Sequence, residues 1–397
     1  MATAMKHVNF LRSAASKFSL LNASLNTNFV SNSSKRYLFS GEILGLENYL
    51  RHRDQTLHRL GDLQTKFGDR MREYLKSENE QTIFTDDLKT IVYAAKGVDD
   101  LELTKIMINK YHKQSEELRF STFHFGPIVM RLAHVLNNPQ FAWELFNDKN
   151  LNGFFDQMSS FVILMDLLFN SKLYEDCLKA LQIIADKNLN GVKYPMDCVT
   201  IAAAACLKLN TPQAFKVLLS ILRESKKLGS SVSIRSLVYA AELALLQGSP
   251  ETALEILSMQ IVNEGRRTPL AYVNTKLKVN IELGRFEDCL ASIKSCILME
   301  DLPESYRKNG KVFESIINSL KSGLEEKNDV NLNMQFTLIN SMLEQGDHIS
   351  SSSYEDYLMR PVIRRRKLHD GYKSRERSSF PGERNNRKGN RPGLLEA

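Results

Sequence analysis

Two segments of the sequence set an acid pair directly before a thiol: Glu175-Asp176-Cys177 and Glu287-Asp288-Cys289. They lie 112 residues apart, each preceded by an aromatic residue and followed by leucine. Clustered carboxylates can hold a divalent metal for phosphodiester hydrolysis, and paired thiols can hold zinc or a redox couple. The surrounding sequence completes neither chemistry. Cys177, Cys198, Cys206, Cys289 and Cys296 include no C-x-x-C pair, so neither a zinc ribbon nor a redox motif is expected. The eight histidines form no H-E-x-x-H and no C2H2 pattern, and His124 and His134 read as packing or surface residues. No phosphate loop and no G-x-G-x-x-G occurs. The expectation is a chain without catalytic residues, metal or cofactor, whose cysteines are reduced, small and mostly buried in a reducing compartment.

The elements that must carry the repeated segments are helices. Residues 42–345 place apolar side chains at three- and four-residue steps, as in LLFNSKLYEDCLKALQIIADKNL, without the alternation of strands. Aligning on the small residue gives Ala142, Cys177, Ala214, Ala253 and Cys289, at spacings of 35, 37, 39 and 36. Such a period belongs to helix–turn–helix solenoids, in which each hairpin buries its apolar face only against its neighbours. A small side chain there lets the second helix approach the first. Pro139, Pro212 and Pro250 stand two or three residues earlier, where a first-turn proline loses no intrahelical bond. In this register both acid pairs begin second helices, where a carboxylate faces the positive end of the helix dipole. They are scaffold rather than a metal site. The fold expected is an all-α, right-handed α-solenoid: a helical region over 37–119, about five degenerate repeats over 120–300, and capping helices over 301–345.

The two ends differ from this body. Residues 1–41 carry five basic residues and no acid, and residues 360–397 carry twelve Lys/Arg against four Asp/Glu. The overall net charge is +7, so residues 42–359 stand at −6. The first 36 residues are basic, rich in Ser and Asn, with Phe10, Leu11, Phe18, Leu20 and Leu21 along them. That is the composition of a mitochondrial transit peptide. Residues 346–397 are expected to be a basic, disordered tail. No apolar run reaches the ~18 residues of a membrane span, so no membrane insertion is expected.

The segments 159–181, SSFVILMDLLFNSKLYEDCLKAL, and 271–290, AYVNTKLKVNIELGRFEDCL, resemble the pentatricopeptide repeat. Phe161 takes its aromatic slot, Cys177 its small slot, and Gly284-Arg285 its turn. KRYLF (35–39), FHFGPIVMRL (123–132), LNGFFDQMSSFVILMDLLF (151–169) and LKLNTPQAFK (207–216) resemble animal mitochondrial members of that family. The resemblance implies a mitochondrial matrix protein that binds RNA and acts in transcript maturation for the respiratory chain. An RNA-processing nuclease or the mitochondrial ribosome is the protein partner expected. The family reads one base per repeat from the first helix. The principal slot here holds Pro127, Val162, Thr200, Val238 and Asn274, of which Thr200 and Asn274 can hydrogen-bond a base edge. Four residues on lie Arg131, Asp166, Ala204, Glu242 and Lys278. Lys278 could meet a phosphate, whereas the two acids would repel one. In the tail, Arg364, Arg365, Arg366 and Lys367 form a compact cluster for a phosphate backbone. Two readings stay open: an RNA-binding solenoid, and a solenoid whose concave face holds protein while the tail touches RNA.

Overall fold

Helix hairpins follow one another along the chain. The structure, a computed structural model, describes residues 38–76, 82–114, 123–259, 268–298 and 310–362. The proposed transit peptide and residues 363–397, including Arg364, Arg365, Arg366 and Lys367, lie outside the described residues. The amino-terminal part holds α1 (Gly41–Leu44), α2 (Leu46–Leu60), α3 (Gln64–Lys76), α4 (Thr85–Ala94) and α5 (Val98–Lys113). Five hairpins then pair α6 (Gly126–Val135) with α7 (Pro139–Asn147), α8 (Met158–Asn170) with α9 (Tyr174–Lys187), α10 (Met196–Leu209) with α11 (Pro212–Lys227), α12 (Ile234–Leu246) with α13 (Pro250–Ser258), and α14 (Leu270–Glu282) with α15 (Phe286–Cys296). A further hairpin, α16 (Glu314–Lys327) with α17 (Val330–Gln345), stacks on the last of these. Among the described residues no helix is long and apolar enough to cross a membrane.

Local chemistry sets each hairpin. Pro139, Pro212 and Pro250 open α7, α11 and α13, where their missing N–H costs nothing. The side chains of Asn138 and Thr211 cap the first two of these helices by accepting from Phe141 and Ala214 backbone N–H groups. The turns inside the hairpins pass through a left-handed residue, glycine at Gly248 (φ 68°) and Gly284 (φ 68°). There the Ser249 and Arg285 N–H groups reach back to the carbonyls of Ala244 and Asn280 at 2.9 and 2.8 Å, which satisfies the helix end.

Ala142, Cys177, Ala214, Ala253 and Cys289 are all buried. Cys177 donates its thiol to the Met165 carbonyl and Cys289 to the Leu277 carbonyl, both at 3.6 Å and both onto the first helix of the same hairpin. Glu175-Asp176 and Glu287-Asp288 occupy the first turns of α9 and α15.

The first helices α6, α8, α10, α12, α14 and α16 pack each against the next, and α7, α9, α11 and α13 each pack on the first helix of their own hairpin and of the one that follows. Nine consecutive residues of α10 (198–206) and nine of α12 (236–244) are buried. Nine residues span about two and a half turns, so these helices are enclosed all round. In an open stack one face of a first helix would meet solvent. Something covers that face here.

The cover is the chain itself. Beyond α17 the chain forms strand β2 (Ile349–Ser350), parallel to β1 (Val312–Phe313), and then the short helix α18 (Tyr354–Leu358). At Val362 it pairs in parallel with Phe39: Val362 N–H donates to Leu38 (2.8 Å) and Ser40 N–H donates to Val362 (3.2 Å). The expectation of a disordered tail from residue 346 is therefore corrected over 346–362. Tyr354 and Leu358, four residues apart, both bury their side chains, which gives this short segment a reason to dock.

Candidate functional site

The inner face runs across α14, α12, α10, α8 and α6, and the strap 348–362 together with residues 38–44 lies along it. At the α14 end, the Tyr354 hydroxyl stands 2.7 Å from the Ala271 carbonyl and 2.6 Å from the Thr275 hydroxyl. Thr275 is 2.7 Å from Glu242 Oε1, to which it can donate, and Lys278 pairs with Glu242 Oε2. Burial first, and then the charge of Glu242, push the Tyr354 hydroxyl well above the ordinary tyrosine range. Tyr354 also packs on Phe313, ring centres 4.9 Å apart.

At α12 the strap is held by its backbone. The Leu358 carbonyl accepts from Tyr239 (2.9 Å) and from the Arg235 guanidinium (2.7 Å), and the Arg360 carbonyl accepts from Arg235 as well. Arg235 also donates to the Tyr239 hydroxyl at 2.6 Å. Towards α8, Asp166 Oδ1 accepts from the Phe39 N–H at 3.1 Å. Asp166 Oδ2 accepts from Asn170 at 2.7 Å and lies 2.9 Å from His134 Nε2. At α6, Arg131 donates to the Leu44 carbonyl at 2.8 Å, and burial lowers the pKa of its guanidinium.

Thr200 and Asn274 are not presented as base readers in this arrangement. Thr200 is 3% exposed, and its hydroxyl contacts the Met196 carbonyl (2.9 Å) and the hydroxyls of Ser233 (2.8 Å) and Ser236 (3.0 Å). Asn274 is 0% exposed; its amide donates to the carbonyls of Leu270 (2.9 Å) and Lys311 (3.0 Å) and accepts from Phe313 N–H (3.3 Å). Both side chains join one hairpin to the next and have no hydrogen-bonding capacity turned outward. Lys278 is spent on Glu242, with 35% of its side chain exposed. The expected trio thus lies on the first-helix layer, but as internal ties. The reason is geometric: a polar residue on a face that the chain covers must bond within the protein.

Sequence reasoning missed Arg235, Tyr239, Tyr354 and Leu358. The one local signal was the aromatic and aliphatic spacing of YEDYL after a serine run. Nor does the site offer a thiol nucleophile. Burial pushes Cys206 and Cys289 up to about 12, and raises Cys177 and Cys198 as well, which keeps these thiols protonated at neutral pH.

The chain is similar to proteins named pentatricopeptide repeat-containing protein 2, mitochondrial. That of Xenopus laevis is 27% identical over 347 residues, 85% of this chain and 86% of the relative. That of Danio rerio is 26% identical over 84% of both chains. That of Pongo abelii is 30% identical over 262 residues, 66% of both. No family model matches the chain. The hairpin stack, the register of its small residues and this likeness agree: the chain is an all-α helical-repeat protein of the mitochondrion, similar to the mitochondrial pentatricopeptide repeat-containing proteins.

Proposed function

We propose that the chain is a non-catalytic RNA-binding factor of the mitochondrial matrix that acts in RNA maturation or processing and thereby sustains the respiratory chain. One observation carries the assignment of the RNA contact: charge is segregated. Residues 360–397 hold +8 while residues 42–359 hold −6. A phosphate backbone is drawn to Arg364, Arg365, Arg366 and Lys367 rather than to an inner face floored by Asp166 and Glu242. Four such contacts to a single strand give a slope of roughly −3 in log K against log salt. Tyr372 and Phe380 supply rings on which bases can stack. Binding of this kind adheres without selecting a sequence, so a processing nuclease or the mitochondrial ribosome supplies the choice of transcript.

Ultraviolet crosslinking of single-stranded RNA to the protein with and without residues 363–397 tests this. Crosslinks that vanish with the tail support the assignment. Crosslinks retained on α10 or α14 return the reading to the helical stack, and no crosslink in either protein removes RNA binding altogether. A protein-binding scaffold with an RNA-touching tail, for example one on the mitochondrial ribosome, is the second reading. It is favoured by the occupant of the inner face, which is polypeptide.

A further inference from the structure

We propose that the inner face of α12 and α14 is a peptide-recognition site, occupied in cis by residues 348–362. A partner protein with a short segment of the same chemistry, a helical turn carrying an aromatic and an aliphatic anchor, takes this place in trans. The inference stands whether or not Arg364–Lys367 holds RNA.

Three observations carry it. First, the strap is docked the way a short peptide is. Tyr354 and Leu358 are inserted, 5% and 4% exposed, while Glu355 and Asp356 between them face solvent. Two anchors on one side of a single helical turn, with a polar opposite side, form the minimal helix-in-groove pattern. Second, the face recognises main chain. Arg235 and Tyr239 together take the Leu358 carbonyl, and Arg235 reaches the Arg360 carbonyl. These contacts ask only that carbonyls follow the second anchor, so another chain can supply them. Third, the floor disfavours a polyanion. Glu242 sits beneath the Tyr354 hydroxyl through Thr275, and Asp166 beneath Phe39. Arg235 directs Nε to Tyr239 and Nη2 to the two strap carbonyls.

The attachment at each end is slight. Strand pairing covers two residues at the β1–β2 end and a single bridge at the Phe39–Val362 end. Asp347, in the left-handed region at φ 52°, marks the bend where the strap leaves α17. The segment can therefore lift as a unit while the hairpins stay stacked, because those are held by their own buried helices.

The experiment uses the full-length chain carrying Tyr354→Ala and Leu358→Ala, and a fluorescein-labelled peptide of residues 348–362. Fluorescence anisotropy is expected to show saturable binding to the double variant. Binding to the unmodified protein should be at least about tenfold weaker, because its tethered strap competes at a high effective concentration. The same peptide with both anchors changed to alanine should not bind. Hydrogen exchange should show α12 and α14 losing protection in the double variant and regaining it with peptide. Equal binding to both proteins, or to neither, overturns the proposal. So does a mixed-sequence single-stranded RNA that restores protection where the peptide does not, since the face would then be a nucleic-acid site.

If the double variant fails to fold, native-state exchange of the unmodified protein decides. The Val362 and Met359 amides, bonded to Leu38 and Glu355, should exchange at least about a hundredfold faster than the interior of α12. Exchange of all of them at one common rate would show that the strap opens only with the whole fold, and the proposal falls.

Discussion

The backbone N–H of Phe39 donates to the buried carboxylate of Asp166 across 127 residues of sequence. Asp166 is 0% exposed and also meets His134 and Asn170. A single side chain on α8 thus fastens the start of the described chain to the helical stack. Asp166→Ala leaves these groups buried without their acceptor. It should cost about 3–5 kcal/mol, read from the urea midpoint, because removing one member of a buried polar set strands the rest. Asp166→Asn keeps one acceptor oxygen and should cost less. Equal midpoints for wild type and Asp166→Ala would show that the contact is not made in solution.

Thr200 and Asn274 are expected to act on stability. Thr200→Ala and Asn274→Ala each remove hydrogen bonds between successive hairpins, at about 1–3 kcal/mol apiece. Thermal unfolding measures this. A panel of RNA sequences bound to each variant should rank as it does for the wild type. A changed ranking with unchanged melting would restore both residues to base reading.

Tyr354→Phe isolates the hydroxyl at the strap. The ring stays against Phe313, while Thr275 and the Ala271 carbonyl lose a partner. A loss of about 1–2 kcal/mol is expected, appearing as faster hydrogen exchange over 349–362 with little change elsewhere. A loss spread evenly over the stack would mean that the strap is part of the global core.

The thiols predict a pH effect and a labelling pattern. Cys177, Cys198, Cys206 and Cys289 are buried and Cys296 is half-buried, so a thiol reagent should modify Cys296 first in the folded protein and the other four only on unfolding. The folded chain holds its buried thiols protonated, Cys206 and Cys289 up to about 12, whereas the unfolded chain releases those protons near about pH 8.5. Stability from this source is complete below that value and is lost as pH rises towards about 12. The urea midpoint should fall between about pH 8 and about pH 10, and less steeply in a Cys206→Ala, Cys289→Ala variant.

The hairpins were legible in the sequence because their signals are local. A proline at the first position of α7, a glycine at the α14–α15 turn and a small residue facing the first helix each act within one repeat. The inner face was not legible, because its partners are far apart. Tyr354 meets Thr275 over 79 residues and Arg235 meets Leu358 over 123, and no period connects them. A polar residue at a first-helix slot reads the same whether it faces a base or the next hairpin. Residues 346–397 read as one basic, unstructured tail, and the two anchors of a five-residue helix give too short a pattern to stand out from it.

The bridge between Phe39 and Val362 joins positions more than 300 residues apart. A chain that folds from its amino-terminal side can build hairpin after hairpin, each held by its neighbours. It cannot form this bridge before Val362 is available. Closure of the inner face is thus a late event in folding, and until then the first helices stay uncovered.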